Sequence, residues 1–302
     1  AGETKNITCY KDENDLFTIS CILGETSKTN INGVTFSGNY ISNDGKIEIS
    51  DSFVNTNTTV TINYGNQTKK ITIEVWHKIT SAEDFEKNYG IQAGNYELEN
   101  DITFESGKTY KTIGCIEEKD DNDCDMFNGK FNGKNHAINN AQFSHQSMFY
   151  SLHNAEIKNL TLNGRNIQTT SNIRKKAMIG TIARDSLETT IDNVHVNINI
   201  IGNGIFDIAG GLVGQSSHTT IEKSSYNGEI SSNNYSGGIV GLDYGTKILH
   251  CYTKGKIIGD KAGGFIGYSR RNKTTGIIDS YTAASVKKKD SNSKVGALIG
   301  EL

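Results

Sequence analysis

Four runs decide how this chain folds: Gly210-Gly211-Leu212-Val213-Gly214, Gly237-Gly238-Ile239-Val240-Gly241, Gly263-Gly264-Phe265-Ile266-Gly267 and Gly296-Ala297-Leu298-Ile299-Gly300. A weaker form, Ala177-Met178-Ile179-Gly180, precedes them. An isoleucine opens each of the five copies: Ile157, Ile191, Ile221, Ile248 and Ile277. With Gly180 taken as a closing glycine, the closing glycines lie 34, 27, 26 and 33 residues apart. A repeat of that length is one coil of a solenoid, in which each strand pairs with the same strand of the next coil and like residues stack about 4.8 Å apart. The expected fold is all-β: a right-handed parallel β-helix over 79–302, its regular repeats covering 155–302.

Columns follow from this register. Three residues after the anchor stand Leu160, Val194, Ser224, Cys251 and Ser280, apolar or small, which are assigned to the interior. The next position, Thr161, His195, Ser225, Tyr252 and Tyr281, is assigned to the outer wall, as strand alternation requires. Nine residues after the anchor come Asn166, Ile200, Ile230, Ile257 and Val286, mostly β-branched. Adjacent glycines weaken an ordinary strand. In this pattern they let the backbone turn a corner or approach its neighbour closely.

The glycine runs, each followed by a polar stretch and an isoleucine anchor, resemble the GLUG repeats of large bacterial surface and secreted proteins. Tyr96 to Ile102, Ile113-Gly114, Phe127 to Gly133 and Ala155 to Leu162 resemble the lead-in such repeats carry. The likeness runs from Ile79 to Leu302. It implies an exported bacterial protein, a non-enzymatic adhesin or stalk, whose partner is a protein or glycan on a host or neighbouring cell. Repeats of this kind also resemble the flanks of some secreted immunoglobulin-cleaving metalloproteases. None of the seven histidines is followed by Glu, so the chain holds no His-Glu-x-x-His zinc helix.

Composition agrees with a strand-rich chain. There is no proline, beside 32 glycines and 33 asparagines. Proline removes a ladder donor, and asparagine both tolerates left-handed turns and stacks in ladders. A base-composition bias in the source would give the same proline deficit. A net charge of −3 offers no field suited to nucleic acid, and Arg174 to Lys176, Arg270 to Lys273 and Lys287 to Lys289 read as solvated loops. No apolar run reaches the ~18 residues that span a bilayer. No signal peptide opens the chain, and Ala1-Gly2 reads as a processed end or an expression scar. No capping pattern follows Gly300, which predicts that the chain continues or that its open end associates with another copy.

Residues 1–78 alternate as short strands that predict a small immunoglobulin-like β-sandwich. Trp76 is placed where this module gives way to the next. Residues 81–89 read as a short helix, with Ser81 as N-cap and Gly90 as stop, lying as a lid over the first coils. Two local cysteine pairs are expected as disulfides, Cys9 with Cys21 and Cys115 with Cys124, which places the chain in an oxidising compartment. Cys251, in the inward column, is a buried inert thiol.

Candidate sites are few. Tyr252 and Tyr281 stack on the outer face, with Tyr226, Tyr235, Tyr244 and Tyr268 in the same turns, as candidate ligand positions for a sugar ring or a protein surface. Tyr226 and Tyr268 join Tyr252 and Tyr281 as the four named ligand positions. Asp121, Asp123 and Asp125 have the alternating start of a calcium loop but lack its glycine and distal Glu. The expectation is therefore no obligatory cofactor, with Ca²⁺ the one ion considered. The competing functions are a carbohydrate-active β-helix enzyme, whose carboxylates at Asp192 and Asp279 are separated by Glu222 and Leu249, and a structural segment of a surface fibre.

Overall fold

The computed structural model describes the backbone of residues 4–11, 19–23, 35–37, 40–43, 46–50, 58–64, 67–87, 93–115, 124–164, 166–168, 177–201, 206–270 and 274–302, with side chains from residue 76 onward apart from 168 and 177. The chain divides into two units, Ala1–Ile79 with Ala93–Glu97, and Thr80–Gln92 with Leu98–Leu302.

The first unit is built from β1 (Thr4–Lys11), β2 (Ile19–Leu23), β3 (Thr35–Ser37), β4 (Tyr40–Asn43), β5 (Lys46–Ser50), β6 (Thr58–Tyr64) and β7 (Gln67–Ile79). Its β1 runs antiparallel to both β2 and β5, and β5 to β4; on the other side β2 runs parallel to β7, which pairs with β6 and through it with β3. Sheet pairing of this kind agrees with the alternation in the sequence. Cys9 stands directly opposite Cys21 in the β1 and β2 register, while their side chains lie outside the described residues. Trp76 is half-buried within β7, opposite Ile22.

The second unit is a parallel β-solenoid. Each regular coil contributes to three sheets, and all the pairings between coils are parallel. One sheet carries the isoleucine anchors: Ile157, Ile191, Ile221, Ile248 and Ile277 stand over one another in register. The inward column Leu160, Val194, Ser224 and Cys251 is buried, as the repeat implied, while Ser280 in the last coil is half-buried. Anchor and inward column are three residues apart, an odd spacing that plain alternation would send to opposite faces. The chain corrects this with one left-handed residue between the two positions in each coil, Asn159, Asn193, Lys223, His250 and Asp279, at φ 53, 53, 47, 53 and 46. Their stacking makes a corner that repeats along the whole solenoid.

Two details of the repeat differ from the sequence pattern. Gly180 pairs with Gly210, so it heads the first copy's run instead of closing it. The copy therefore reads Gly180-Thr181-Ile182-Ala183-Arg184 against Gly210 to Gly214, and Thr181 donates its hydroxyl to the Gly211 carbonyl of the next coil. In the β-branched column the first coil supplies Ile167 rather than Asn166, because its stretch from anchor to column is one residue longer.

The two leading glycines of each run do separate jobs. A Cβ at Gly210, Gly237, Gly263 or Gly296 would lie 1.8 to 2.1 Å from the carbonyl oxygen three residues on, so this position makes the corner possible. A Cβ at Gly211 or Gly238 would lie 2.1 Å from the second glycine's carbonyl in the following coil, and at Gly264 it would lie 2.2 Å from the Ala297 carbonyl. The second position thus sets the closeness of the coils. The closing glycines Gly214, Gly241, Gly267 and Gly300 are crowded too, by backbone at 2.5 to 2.7 Å.

Polar columns run inside and outside. Asn163, Asn197 and Asn227 each donate an amide N–H to the asparagine of the coil before, starting at Asn139, over 2.9, 2.8 and 3.3 Å. Within the second sheet Ser186, Ser216, Asp243 and Ser269 form a buried column. Asp243 accepts from the backbone N–H of Gly245 and Thr246 at 2.9 and 2.7 Å, and from the hydroxyls of Ser269 and Thr275 at 2.7 and 2.6 Å. Four donors satisfy a carboxylate that burial would otherwise penalise heavily.

The helix α1 (Ala82–Lys87) begins as expected, with the Asp84 N–H donating to the Ser81 hydroxyl at 3.1 Å. Gly90 lies outside the described residues. Phe85, fully buried, packs against Phe104 and Phe143 at 5.2 and 6.0 Å between ring centres. Thr103 and Ile102 pair with Asn139 and Ile138, which places the Phe104 ring beside the first irregular coil.

Gly238→Ala is expected to cost about 3 kcal/mol in urea unfolding, since its methyl would lie 2.1 Å from the Gly264 carbonyl oxygen and 2.9 Å from the Thr253 methyl. Gly276→Ala, with nothing within 4 Å of its Cβ, is the control and shifts stability by less than about 0.5 kcal/mol. Asp243→Asn puts an amide donor where the carboxylate accepts, and a loss of about 2 to 3 kcal/mol in the same assay is expected.

Candidate binding surface

The outer column on the anchor sheet is Thr161, His195, Ser225, Tyr252 and Tyr281, in the register the sequence implied. Tyr252 and Tyr281 stack face to face, 5.6 Å between centres and 11° between planes. Tyr281, in the last coil of this sheet, is 59% exposed, and Tyr252 is half-buried. Lys254 places its ammonium 5.5 Å from the Tyr252 ring centre, adding a cation beside the aromatic surface. Above them His195 is held by the Ser225 hydroxyl at 2.8 Å and the Asn193 amide oxygen at 3.1 Å. Burial holds its imidazole below the usual histidine range.

The other two tyrosines named as ligand positions do not join this surface. Tyr226 is fully buried and donates its hydroxyl to the Ile198 carbonyl at 2.7 Å. It follows the outward Ser225 by one residue, so alternation turns it inward, over Val196 and beneath Thr253. Its ring lies where a Gly211 Cβ would stand, 2.4 Å from the nearest ring atom. Tyr268 lies on the second sheet, paired with Tyr235 at 5.0 Å. Lys261 covers both rings, 4.1 Å from Tyr268 and 5.3 Å from Tyr235, and is tied to Glu301. That cleft is already filled by the chain's own ammonium. Tyr244 is likewise accompanied by Arg270, at 5.6 Å.

The remaining expected sites are distributed as follows. Cys115 and Cys124 form a disulfide. Cys251 is a free, buried thiol pushed up by burial to about 11, so its thiolate is scarce at neutral pH and it is chemically quiet. Of the proposed calcium loop, Asp121 and Asp123 lie outside the described residues, and Asp125 is exposed with its N–H bonded to the Gly114 carbonyl at 2.7 Å. Lys287 and Lys288 end the strand Tyr281–Lys288 rather than lying in a loop, and Lys289 reaches Asn233 Oδ1 at 2.9 Å. Arg174 to Lys176 and Arg271 to Lys273 lie outside the described residues.

Carboxylates do meet on adjacent coils, in the column where the anchor register put Asp192 and Glu222, but without Asp279. Asp192 stands directly opposite Glu222, followed in the column by Leu249 and Ile278, while Asp279 falls one residue later, on the left-handed corner. Lys223 lies 2.9 Å from Glu222 and 3.8 Å from Asp192. His250 stands 3.9 Å from Glu222 and 3.6 Å from Asp279. The hydrogen bond from Lys223 holds the Glu222 carboxyl below the usual range.

Among the described residues no helix is long and apolar enough to cross a membrane, which leaves strand-built spans untouched. No family model matches the chain, and no curated protein does. Among solved structures the chain is similar to an IgA1 protease, at 16% identity and a TM-score of 0.40, over 94% of this chain and 24% of that one. The chain thus spans about a quarter of the length of that protein. The solenoid assignment itself rests on the parallel register described above.

A depressed histidine resists protonation only while folded, so His195 contributes a loss of stability as pH falls below its unfolded value of about 6.5. Urea unfolding of the wild type between pH 8 and 5 should show this acid-side slope, and His195→Asn should flatten it.

Proposed function

We propose that this chain is a segment of an exported surface protein in which the solenoid is a stiff display element and its anchor-sheet wall binds a partner on another cell. The observation that carries this reading is the stacked Tyr252 and Tyr281 pair with Lys254 beside it. A flat aromatic surface with phenol and ammonium groups suits a pyranose face or a protein patch, since stacking needs a plane and the polar tips add direction. Coil repetition makes such contacts additive, and a weak site becomes useful through multivalency. The Cys115–Cys124 disulfide supports export, because such bonds persist in oxidising compartments. The resemblance of the glycine runs to GLUG repeats supports the same placement.

A second reading, a glycan-cleaving enzyme, has one observation in its favour, the Asp192 and Glu222 pair on neighbouring coils. Hydrolysis by two carboxylates needs one of them held protonated. Lys223 pulls Glu222 the other way, towards permanent ionisation, which favours the binding reading. A third, a structural segment of a surface fibre, would show as end-to-end assembly of the purified chain.

Tyr281→Ala is expected to change folding stability by less than about 0.5 kcal/mol, as its ring is mostly exposed. In glycan-array and cell-adhesion assays, the Tyr252→Ala and Tyr281→Ala variants should lose about tenfold or more in apparent affinity. Unchanged signals in both assays would refute the wall as the binding surface. Release of reducing ends from polysaccharide by the wild type, abolished in Glu222→Gln, would favour the enzyme instead.

A further inference from the structure

Ahead of the regular repeats, the second unit gathers two sulfurs and an imidazole at one point. Cys115 Sγ, Cys124 Sγ and a ring nitrogen of His145 all lie within 4.8 Å of one another. We propose that the disulfide gates a metal site: once it is reduced, Cys115, Cys124 and His145 bind one Zn²⁺, with a fourth position open to water.

The backbone would hold the sulfurs together without the S–S bond. Cys115 and Cys124 form an antiparallel bridge, and the Asp125 N–H donates to the Gly114 carbonyl at 2.7 Å. The Cys115 N–H donates to the Thr112 carbonyl at 3.2 Å. The same Thr112, fully buried, fixes the third ligand. Its hydroxyl accepts the His145 backbone N–H at 3.0 Å and donates to the Ser147 carbonyl at 2.8 Å, while its own backbone N–H donates to the Ser144 hydroxyl at 3.1 Å. Ser144 in turn pairs with His145 Nδ1 at 3.2 Å, and the ring stands edge-on to Tyr150 at 5.9 Å. One ring nitrogen is thus oriented by an outer partner, and Nε2 is left 3.9 Å from Cys124 Sγ. Metal-bound histidines are oriented in this manner.

One distance can be compared directly. Zn–S and Zn–N bonds of about 2.3 and 2.0 Å in a tetrahedron put sulfur and nitrogen roughly 3.5 Å apart, a few tenths of an ångström from the 3.9 Å between Cys124 Sγ and His145 Nε2. Thiolates with imidazole are the donor set of borderline-soft Zn²⁺ rather than of Ca²⁺, which takes oxygen. Cys115 is buried while Cys124 and His145 are half-buried, so the open position faces solvent.

The redox step balances with two low-molecular-weight thiols. The Cys115–Cys124 S–S bond breaks, the two reductant sulfurs join as their own disulfide, and their two protons pass to Cys115 and Cys124. Zinc binding then releases those two protons and leaves two thiolates. Oxidation of the site expels the metal, since a disulfide sulfur is no thiolate ligand.

The test uses the full chain with Cys9→Ser and Cys21→Ser, reduced by a phosphine and freed of it without air, then titrated with Zn²⁺ against a chromophoric chelator. One equivalent should bind to the reduced protein and none to the oxidised protein. Co²⁺ in place of Zn²⁺ should give thiolate charge-transfer bands, and His145→Ala should weaken Zn²⁺ binding by about tenfold or more. Zinc should also shield Cys115 and Cys124 from alkylation, read by mass, a measurement that needs no variant at the site. Equal binding by the oxidised form, no binding by a reduced chain that keeps its strand circular dichroism, unchanged affinity in His145→Ala, or alkylation indifferent to zinc would each overturn the proposal.

Discussion

Everything in the solenoid depends on one constraint, the parallel backbone ladder that sets each coil directly over the last. Because strands pair with their own counterparts, a residue's main neighbours are its equivalents one coil above and below. A side chain must therefore suit a column before it suits a strand. Isoleucine over isoleucine satisfies this without difficulty, and the four inner anchors from Ile157 to Ile248 are fully buried. Fully burying such a side chain contributes about 1.5 to 3 kcal/mol, and here the gain recurs with every coil. Proline would remove a donor from a ladder in strands paired on both sides, which gives a structural reason for its absence from the sequence.

The same rule explains the polar content of a coil that an apolar core alone would not predict. Asparagine stacks on asparagine because each amide both donates and accepts, so a column of them is satisfied along its length. The left-handed corner accepts asparagine for a second reason, its tolerance of positive φ. Lys223 and His250 occupy that corner too, as the register fixes the backbone there whatever the side chain. Asp243 shows how a polar column tolerates a substitution. A serine position is filled by a carboxylate, and the neighbouring coil supplies hydroxyls at Ser269 and Thr275 to match it.

What could be read from sequence follows from which signals are periodic. Anchors, inward column and outer tyrosines were legible, because repetition multiplies a weak alternation into a register. Gly180 was misaligned by four residues, since a glycine marks equally well the start or the end of a run and Thr181 disguised the position after it. Tyr226 was hidden by its chemistry: a tyrosine among tyrosines looks exposed, and only the space over Gly211 lets its ring turn inward. Asp192 and Glu222 shared a column in the anchor register, while Asp279 was placed one residue off, because it sits on the left-handed corner after Ile278. The aromatic cluster of Phe85, Phe104 and Phe143 joins segments distant in sequence and leaves no period at all.

Periodicity also decides where chemistry can be placed. Within the regular coils a new side chain on an inward position must suit its whole column, so variation is freest on the outer wall and at the corners. Tyr252, Tyr281 and Lys254 occupy such outward positions, and Tyr252 and Tyr281 face each other because the ladder aligns them, not because a pocket was built around them. Between Tyr110 and Cys115 the pairing shrinks to single bridges. There the backbone is fixed instead by side chains such as Thr112 and Ser144, each bonded to particular partners. An arrangement of that kind can hold one specific geometry of unlike groups, two sulfurs and an imidazole, which a column of like residues cannot. The solenoid thus separates a wall suited to broad, weak, repeated contact from an irregular first segment suited to a single defined site.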